Sequence, residues 1–445
     1  MAFVVFVGSC GPPAAPDKAD DVRVLDVWHG WPQEEAAGLR RVVAEFERTH
    51  PGIRVRLSYA ANNLTSSQKL FLAIAGGVGP DLTFVDGQQL AEWAARGALV
   101  DLTDAAAAAG VRGDDFWLPR WQESLFNGRV YAMPLAADPN FALVWNKRLF
   151  REAGLDPDKP PTTIAELDAA NDKLFKFDAA GRLVQVGLVP WEWGGDNSFF
   201  NWAYAFGGEV FVQPTGTGDV GRVTADDSHN IEAMRWVQRT ADRYGGVRSI
   251  AQFSANFIGT ANNPFYLGRV GMTLMHVEQV RRMKRLAPTI EYGVGFIPQP
   301  PGAQRPSCWV GGWSLAVPRG RAVSADALTF MRWFGDTEEG SRCVAEQMHI
   351  MPAYRHCSWY ETAKADPDLA VYYELLRSAR HVRTLMPAQG YLMDLLRRAN
   401  DQILYGRQDP AVALREVSDK AQSRLEQVLA VVTDRERGAS DGVRP

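Results

Sequence analysis

The chain has 445 residues, 46% of them hydrophobic and 22% charged, with a formal net charge of -4. That length exceeds a single simple core and predicts two or three domains, while the mild acidity and scattered Lys and Arg exclude nucleic acid as a partner. No apolar run reaches the ~18 residues of a membrane span.

The first residues carry an address. The apolar run Phe3-Val4-Val5-Phe6-Val7 ends in Gly8-Ser9-Cys10 and is followed by a polar Gly/Pro/Asp stretch. This order is similar to the end of a bacterial lipoprotein signal, whose cysteine becomes the acylated first residue. Residues 1–21 are therefore read as a signal remnant and tether, with Cys10 as the lipidation site and the membrane reached through a lipid anchor. After Cys10 only Cys308, Cys343 and Cys357 remain. Cys343 and Cys357 close one small loop, or all three are buried thiols; spacing alone leaves both open.

Residues 22–27 form a short apolar strand running into Trp28-His29-Gly30-Trp31. A helix follows with Leu39, Val42, Val43 and Phe46 at helical spacing, ended by Pro51-Gly52. Alternation of Ile53, Val55, Leu57 and Tyr59 predicts a second strand, 66–75 a second helix, and 81–85 a third strand ending at Asp86-Gly87-Gln88. Strand, helix, strand, helix, strand is the pattern of a mainly parallel sheet, which binds ligands at the carboxyl ends of its strands.

The organising stretch is 127–150, NGRVYAMPLAADPNFALVWNKRLF. An Asn-Gly turn leads into a strand at 129–135, which stops at Ala136-Ala137-Asp138-Pro139. A second strand leaves at once, and a helix starts near Asn146. A proline-stiffened junction of two strands predicts a passage between lobes, with Asp138 facing a cleft. Beyond it, Thr163-Ile164-Ala165-Glu166 is a capping box. A strand from Leu183 runs into Pro190-Trp191-Glu192-Trp193, with Asp196 and Asn197 following. Asp227 caps a long helix that stops at Gly245-Gly246. Strands are expected at 269–275 and 292–297, and Trp309-Val310-Gly311-Gly312-Trp313 opens another. From 324 to 432 the chain reads as nearly all helix, and 434–445 as a disordered tail.

In order and spacing, DVWHGW, LRRVVAEFERTHPGIRV, GGVGPDLTFVDGQQLAEWAARGALVDL, the 127–150 stretch, FYLGRVGMTLMHVEQV, YGVGFIPQPPG, WVGGWSLAVPRG and MHIMPAYR resemble the bacterial extracellular solute-binding proteins that serve sugar ABC importers, the maltose-binding-protein group. The resemblance implies an α/β, two-lobed periplasmic-binding-protein fold of type II, with both lobes discontinuous and a ligand cleft at the hinge. Mapped onto this chain, it implies a first lobe of 22–136 plus 268–316 and a second of 137–267 plus 317–433. It further implies an exported, periplasmic or cell-surface monomer that delivers a carbohydrate to permease subunits and has no catalytic residues or cofactor.

A sugar offers apolar C–H faces and a rim of hydroxyls, so its site needs flat aromatics beside Asp, Asn, Gln or Arg. Six of the 14 Trp fall in Gly-containing clusters at strand ends: Trp28 and Trp31, Trp191 and Trp193, Trp309 and Trp313. A lone Trp is most often core, but paired Trp beside Gly at strand ends fit a helical or alternating stripe badly. The candidate ligand residues are Trp28, His29, Trp31, Asp86, Gln88, Asp138, Trp191, Trp193, Asp196, Asn197, Gly311, Gly312, Trp313, Tyr354 and Arg355. The last two are the contact that the family resemblance adds from the second lobe. The bland alternatives are a turn-forming Asp86-Gly87 and a hinge-capping Asp138. His349, His356 and Cys357 lack metal-ligand spacing, so no metal is expected. The basic run at 281–285 reads as a solvated helix face. Two rival functions share these features: the same fold binding a glycerophosphodiester or other anion, and a glycoside hydrolase, which needs two carboxylates at a defined separation.

Overall fold

A computed structural model describes residues 22–31, 36–60, 68–191, 197–214, 219–257, 259, 262–302, 306–379, 381–382 and 384–441, without the side chains of 435–441. Cys10, Trp193 and Asp196 lie outside these residues. The expected parallel sheet forms. Arg23–His29 pairs in parallel with both Ile53–Tyr59 and Leu82–Asp86. Trp313–Ala316 then pairs antiparallel with Leu82–Asp86 and with Met133–Pro134, completing a five-stranded sheet. The helix Ala36–Thr49 buries Leu39, Val42, Val43 and Phe46 on one face, as their spacing predicts.

A second sheet has Ala142–Asn146 at its centre, flanked antiparallel by Met272–Met275 and Tyr292–Gly295. All five residues of the central strand are buried, because helices cover both faces. Asn146 caps the next helix by accepting from Leu149 N–H at 3.0 Å, and the Thr163–Glu166 capping box is made in full.

This pairing corrects the lobe boundaries. Residues 268–311 do not join 22–136. Their strands bond to Ala142–Asn146, and Val270, Met275, Val277 and Val280 pack in a core with Ala142 and Val144. The following helices go the other way. Ala325–Asp336 and Glu338–Met348 seat Phe330, Trp333, Phe334 and Val344 in the core built on Leu25, Val27 and Phe84. Phe46 meets Phe330 at 4.9 Å and Trp333 at 5.4 Å between ring centroids. The first lobe is thus 22–136 with 313–353, and the second is 137–311 with the helices after Tyr354. The main-chain groups of an edge strand pair with whichever sheet lies beside them, and hydrophobic periodicity carries no record of which one that is.

The tail differs as well. The helix Pro410–Asp441 continues well into the segment expected to be disordered, since a run of Ala, Leu, Glu, Gln and Arg without proline propagates a helix already begun. The three cysteines within the described residues are all free thiols, so the disulfide alternative falls. Burial raises the Cys343 and Cys357 pKa values to about 11. The basic run is a solvated face only in part, with Lys284 and Arg285 exposed and Arg281 and Arg282 half-buried. Arg281 donates to the Ala345 carbonyl of the other lobe at 3.3 Å, Arg282 pairs with Glu278, and Lys284 pairs with Asp368 at 2.6 Å.

The chain passes between lobes at 136–138, at 311–313 and at 351–354, and these passages lie side by side. Leu135 N–H donates to Trp313 O at 3.1 Å, Ala137 N–H to Met351 O at 2.8 Å, and Ala353 N–H to Leu135 O at 3.0 Å. Arg120, fully buried, ties the first two together. It donates from Nε to Ala136 O at 2.6 Å and from Nη2 to Ser314 Oγ at 2.8 Å, and it pairs with the equally buried Glu123. Two glycines make room. A Cβ on Gly87 would collide with Glu123 and Arg120, and Gly312, at φ 146°, brings its backbone against Ala136 O. Removing one partner of a buried pair strands the other charge, at a cost of about 3–5 kcal/mol. Glu123→Ala should therefore lower the chemical-denaturation stability by about that amount. A loss below about 1 kcal/mol would show that Arg120 does not depend on Glu123.

Candidate ligand-binding site

The carboxyl ends of the first-lobe strands collect the sequence-predicted residues. Alternation along Arg23–His29 places His29 on the face shared with Leu25 and Val27, and Trp28 on the opposite face, against the cluster of Leu70, Val85, Leu90 and Trp93. The expected Trp28/Trp31 pair is therefore split. Trp31 instead meets Trp313 at 4.8 Å and Phe84 at 4.8 Å, 75° edge-to-face. His29 lies 6.2 Å from the Trp31 ring. Burial, with Arg40 nearby, holds the imidazole below its usual pKa, so it is neutral at pH 7, and Nδ1 has no hydrogen-bond partner among the described residues.

Asp86 stands opposite Trp313 in the sheet register and caps the helix Gly87–Ala95. Its carboxylate accepts from Gln88 N–H at 3.3 Å and from Gln88 Nε2 at 3.1 Å. The turn-forming role is therefore real, and it orients Gln88. Gln88 Oε1 and the neighbouring Gln89 Oε1 are buried without a partner among the described residues.

At the crossing, Asp138 pairs with Gly311 across two strands and lies near enough to Tyr360 to help burial raise that phenol's pKa. Gly312 serves the hinge, as described above. Trp309 is a correction to the cluster reading: it is core, 2% exposed, with Nε1 donating to Asn201 Oδ1 at 2.8 Å. Trp191 is half-buried and packs against both second-lobe clusters. Asn197 begins the helix Ser198–Phe206 without making a cap bond, and its Oδ1 is buried and unpartnered among the described residues. Tyr354 and Arg355 lie at the third crossing. Tyr354 bridges Phe116, and Arg355 is exposed with its N–H on Asp115 O at 3.0 Å. Their neighbours are Asp115 and His356, not the Trp31–Trp313 group.

Sequence reasoning missed Gln89, Gln389 and Glu92. Gln389 is fully buried, touches Thr384 and leaves Nε2 unpartnered among the described residues. Gln in the first turn of a helix is the signal that marks the first two. A cavity of about 690 Å³ lies between Gly87–Ala95 of the first lobe and the helices Gln389–Leu404 and Pro410–Asp441 of the second, with Glu92, Arg96, Tyr391, Asp394, Arg397 and Arg424 on its walls. None of the sequence-predicted residues lines it. Among the described residues no group of three His, Cys, Asp or Glu is placed to hold a metal, and no helix is long and apolar enough to cross a membrane.

Two α/β lobes with three chain crossings and polar side chains at the strand ends define a type II periplasmic-binding-protein fold. The bacterial extracellular solute-binding protein family model matches residues 30–340, and the chain belongs to that family, whose members serve as exported solute-binding components of ABC transporters. A binding protein of Brucella abortus (strain 2308) is 24% identical over 388 residues, covering 85% of this chain and 88% of its own. An ABC transporter extracellular-binding protein of Pyrococcus horikoshii is 23% identical over 316 residues, 66% of this chain and 65% of its own. Among solved structures, CpMnBP1 with mannobiose bound superposes with a TM-score of 0.77 at 25% identity, over 90% of this chain and 100% of that one.

The cap gives a direct test of the site's scaffold. Asp86→Ala should cost about 1 kcal/mol in chemical denaturation and Asp86→Asn less, because Asn still accepts from the helix N–H groups. Equal losses for the two would show that the carboxylate's charge, not the cap, is what matters.

Proposed function

We propose that the protein binds a carbohydrate of more than one residue between its lobes and delivers it to ABC permease subunits, without catalysis. The observation that carries this reading is the set of buried polar atoms left for an outside partner on both lobes: His29 Nδ1, Gln88 Oε1 and Gln89 Oε1 from one, Asn197 Oδ1 and Gln389 Nε2 from the other. Each costs about 1–3 kcal/mol if left unsatisfied. Sugar hydroxyls, which both donate and accept, suit such a mixed set, and the rings of Trp31, Trp313 and Trp191 supply apolar faces beside it. The mannobiose bound by CpMnBP1 supports the same class.

A ligand touching both lobes shifts them toward the closed form only by its preference for that form. Mannobiose, mannotriose, maltose and a glycerophosphodiester should be compared by thermal unfolding and small-angle scattering. A true ligand at a hundred times its Kd adds about 2.7 kcal/mol of stability. We expect that with one of the sugars, together with a smaller radius of gyration. Stabilisation by the glycerophosphodiester alone would overturn the carbohydrate reading.

The anchor is a separate proposal, resting on Val7-Gly8-Ser9-Cys10 ahead of a tether-like segment. With a complete signal in place, Cys10→Ser should move the protein from the membrane fraction to the soluble one. Continued membrane association would refute acylation at Cys10.

A further inference from the structure

The lobes also touch away from the crossings, at the start of a second-lobe helix. The helix Gln389–Leu404 starts without a side-chain cap of its own, since its first flanking residue is Ala388. Gln389 N–H is met locally by Met386 O at 3.1 Å, and no side chain at the helix's own flank caps the N–H groups after it. One is met from the other lobe: Gly390 N–H donates to Glu92 Oε2 at 2.9 Å, across 298 positions of sequence. Glu92 lies on the helix Gly87–Ala95, one turn beyond Gln88 and on the same face. Its side chain is 16% exposed and is held by Arg96. The approach is close enough to select the partner residue, because a Cβ on Gly390 would come within 3.2 Å of Glu92 Oε2.

We propose that Glu92 is a cross-lobe cap that sets how tightly the protein holds its ligand. A carboxylate at a helix N-terminus satisfies an orphan N–H and complements the positive end of the helix dipole. Here the cap and the helix are on different lobes, so the bond exists only while the lobes meet. Opening breaks it, returning the Gly390 N–H and the carboxylate to water. The contact weights the closed form whatever the ligand is, and acts on affinity through that population. Glu92 is thus a positioning residue. The contact requires two lobes that part, not a particular sugar.

The test compares Glu92→Ala, Glu92→Gln and Gly390→Ala with the unmodified protein. Small-angle scattering without ligand reads the lobe separation, and stopped-flow dissociation of mannobiose reads release. Glu92→Ala is expected to enlarge the ligand-free radius of gyration and to speed dissociation about three- to tenfold, the range of a lost helix cap. Glu92→Gln keeps an acceptor oxygen and should fall between. Gly390→Ala perturbs the same contact from the other lobe, so the double variant with Glu92→Ala should be little worse than either single change. Unchanged scattering together with unchanged dissociation, or strictly additive effects, would overturn the proposal. If the unmodified protein does not bind mannobiose, the choice of sugar fails, while the ligand-free scattering still decides the role of Glu92.

Discussion

The structure depends on a guanidinium held where no water reaches it. Desolvating an arginine costs several kcal/mol, and the cost is recovered only if nearly all its donors are used. Arg120 meets that condition at the one place where the chain passes between lobes, on Ala136 O, Ser314 Oγ and Glu123. These partners come from segments far apart in sequence. The charge can be buried only when the crossings are in register, which makes it a check on the assembly of both lobes. The bareness of Gly87 and Gly312 follows from the same demand, because any side chain there would enter the space of the pair or of the Ala136 carbonyl.

That anchor fixes the site's position. Gly87 begins the helix that Asp86 caps, so the buried pair, the cap and Gln88 form one short mechanical chain. The strand Trp313–Ala316 leaves the crossing directly beside it and sets Trp313 against Trp31. The proposed first-lobe ligand groups are thereby mounted on the end of a sheet that the hinge itself supports. The second lobe brings Asn197 and Gln389 from helix starts, where short polar side chains can be buried and still lack an internal partner. On the proposed reading, polar atoms from both lobes beside aromatic rings suit a molecule with hydroxyl edges and apolar faces.

Local signals in the sequence proved durable. The Asn127-Gly128 turn has both residues at positive φ and joins Leu125–Phe126 to Arg129–Val130, as such a pair requires. The Thr163–Glu166 box, the Asp227 cap and the Gly245-Gly246 stop all stand where the residues put them. Each is settled within a few residues by steric and hydrogen-bond preferences that need no tertiary partner. Trp309 shows the limit of such reasoning: beside two glycines it reads like Trp313, yet one packs in the second lobe's core and the other at the strand-end cluster.

By itself the sequence determined the parallel βαβ start, the crossing at 136–139, the capped helices and, through the order of its motifs, the family. Tertiary structure alone decided which lobe claims 268–311 and 317–353, because strand pairing and helix packing are choices between surfaces that local pattern leaves equivalent. It alone decided that Trp28 and Trp31 face opposite sides of one sheet while Trp31 and Trp313, distant in sequence, share a cluster. And it alone joined Glu92 to Gly390, since a cap supplied by another lobe leaves no mark near the helix it serves. The physical reason is the same in each case: caps and turns are energies of neighbouring residues, whereas a cleft is made of groups that meet only after both lobes have folded.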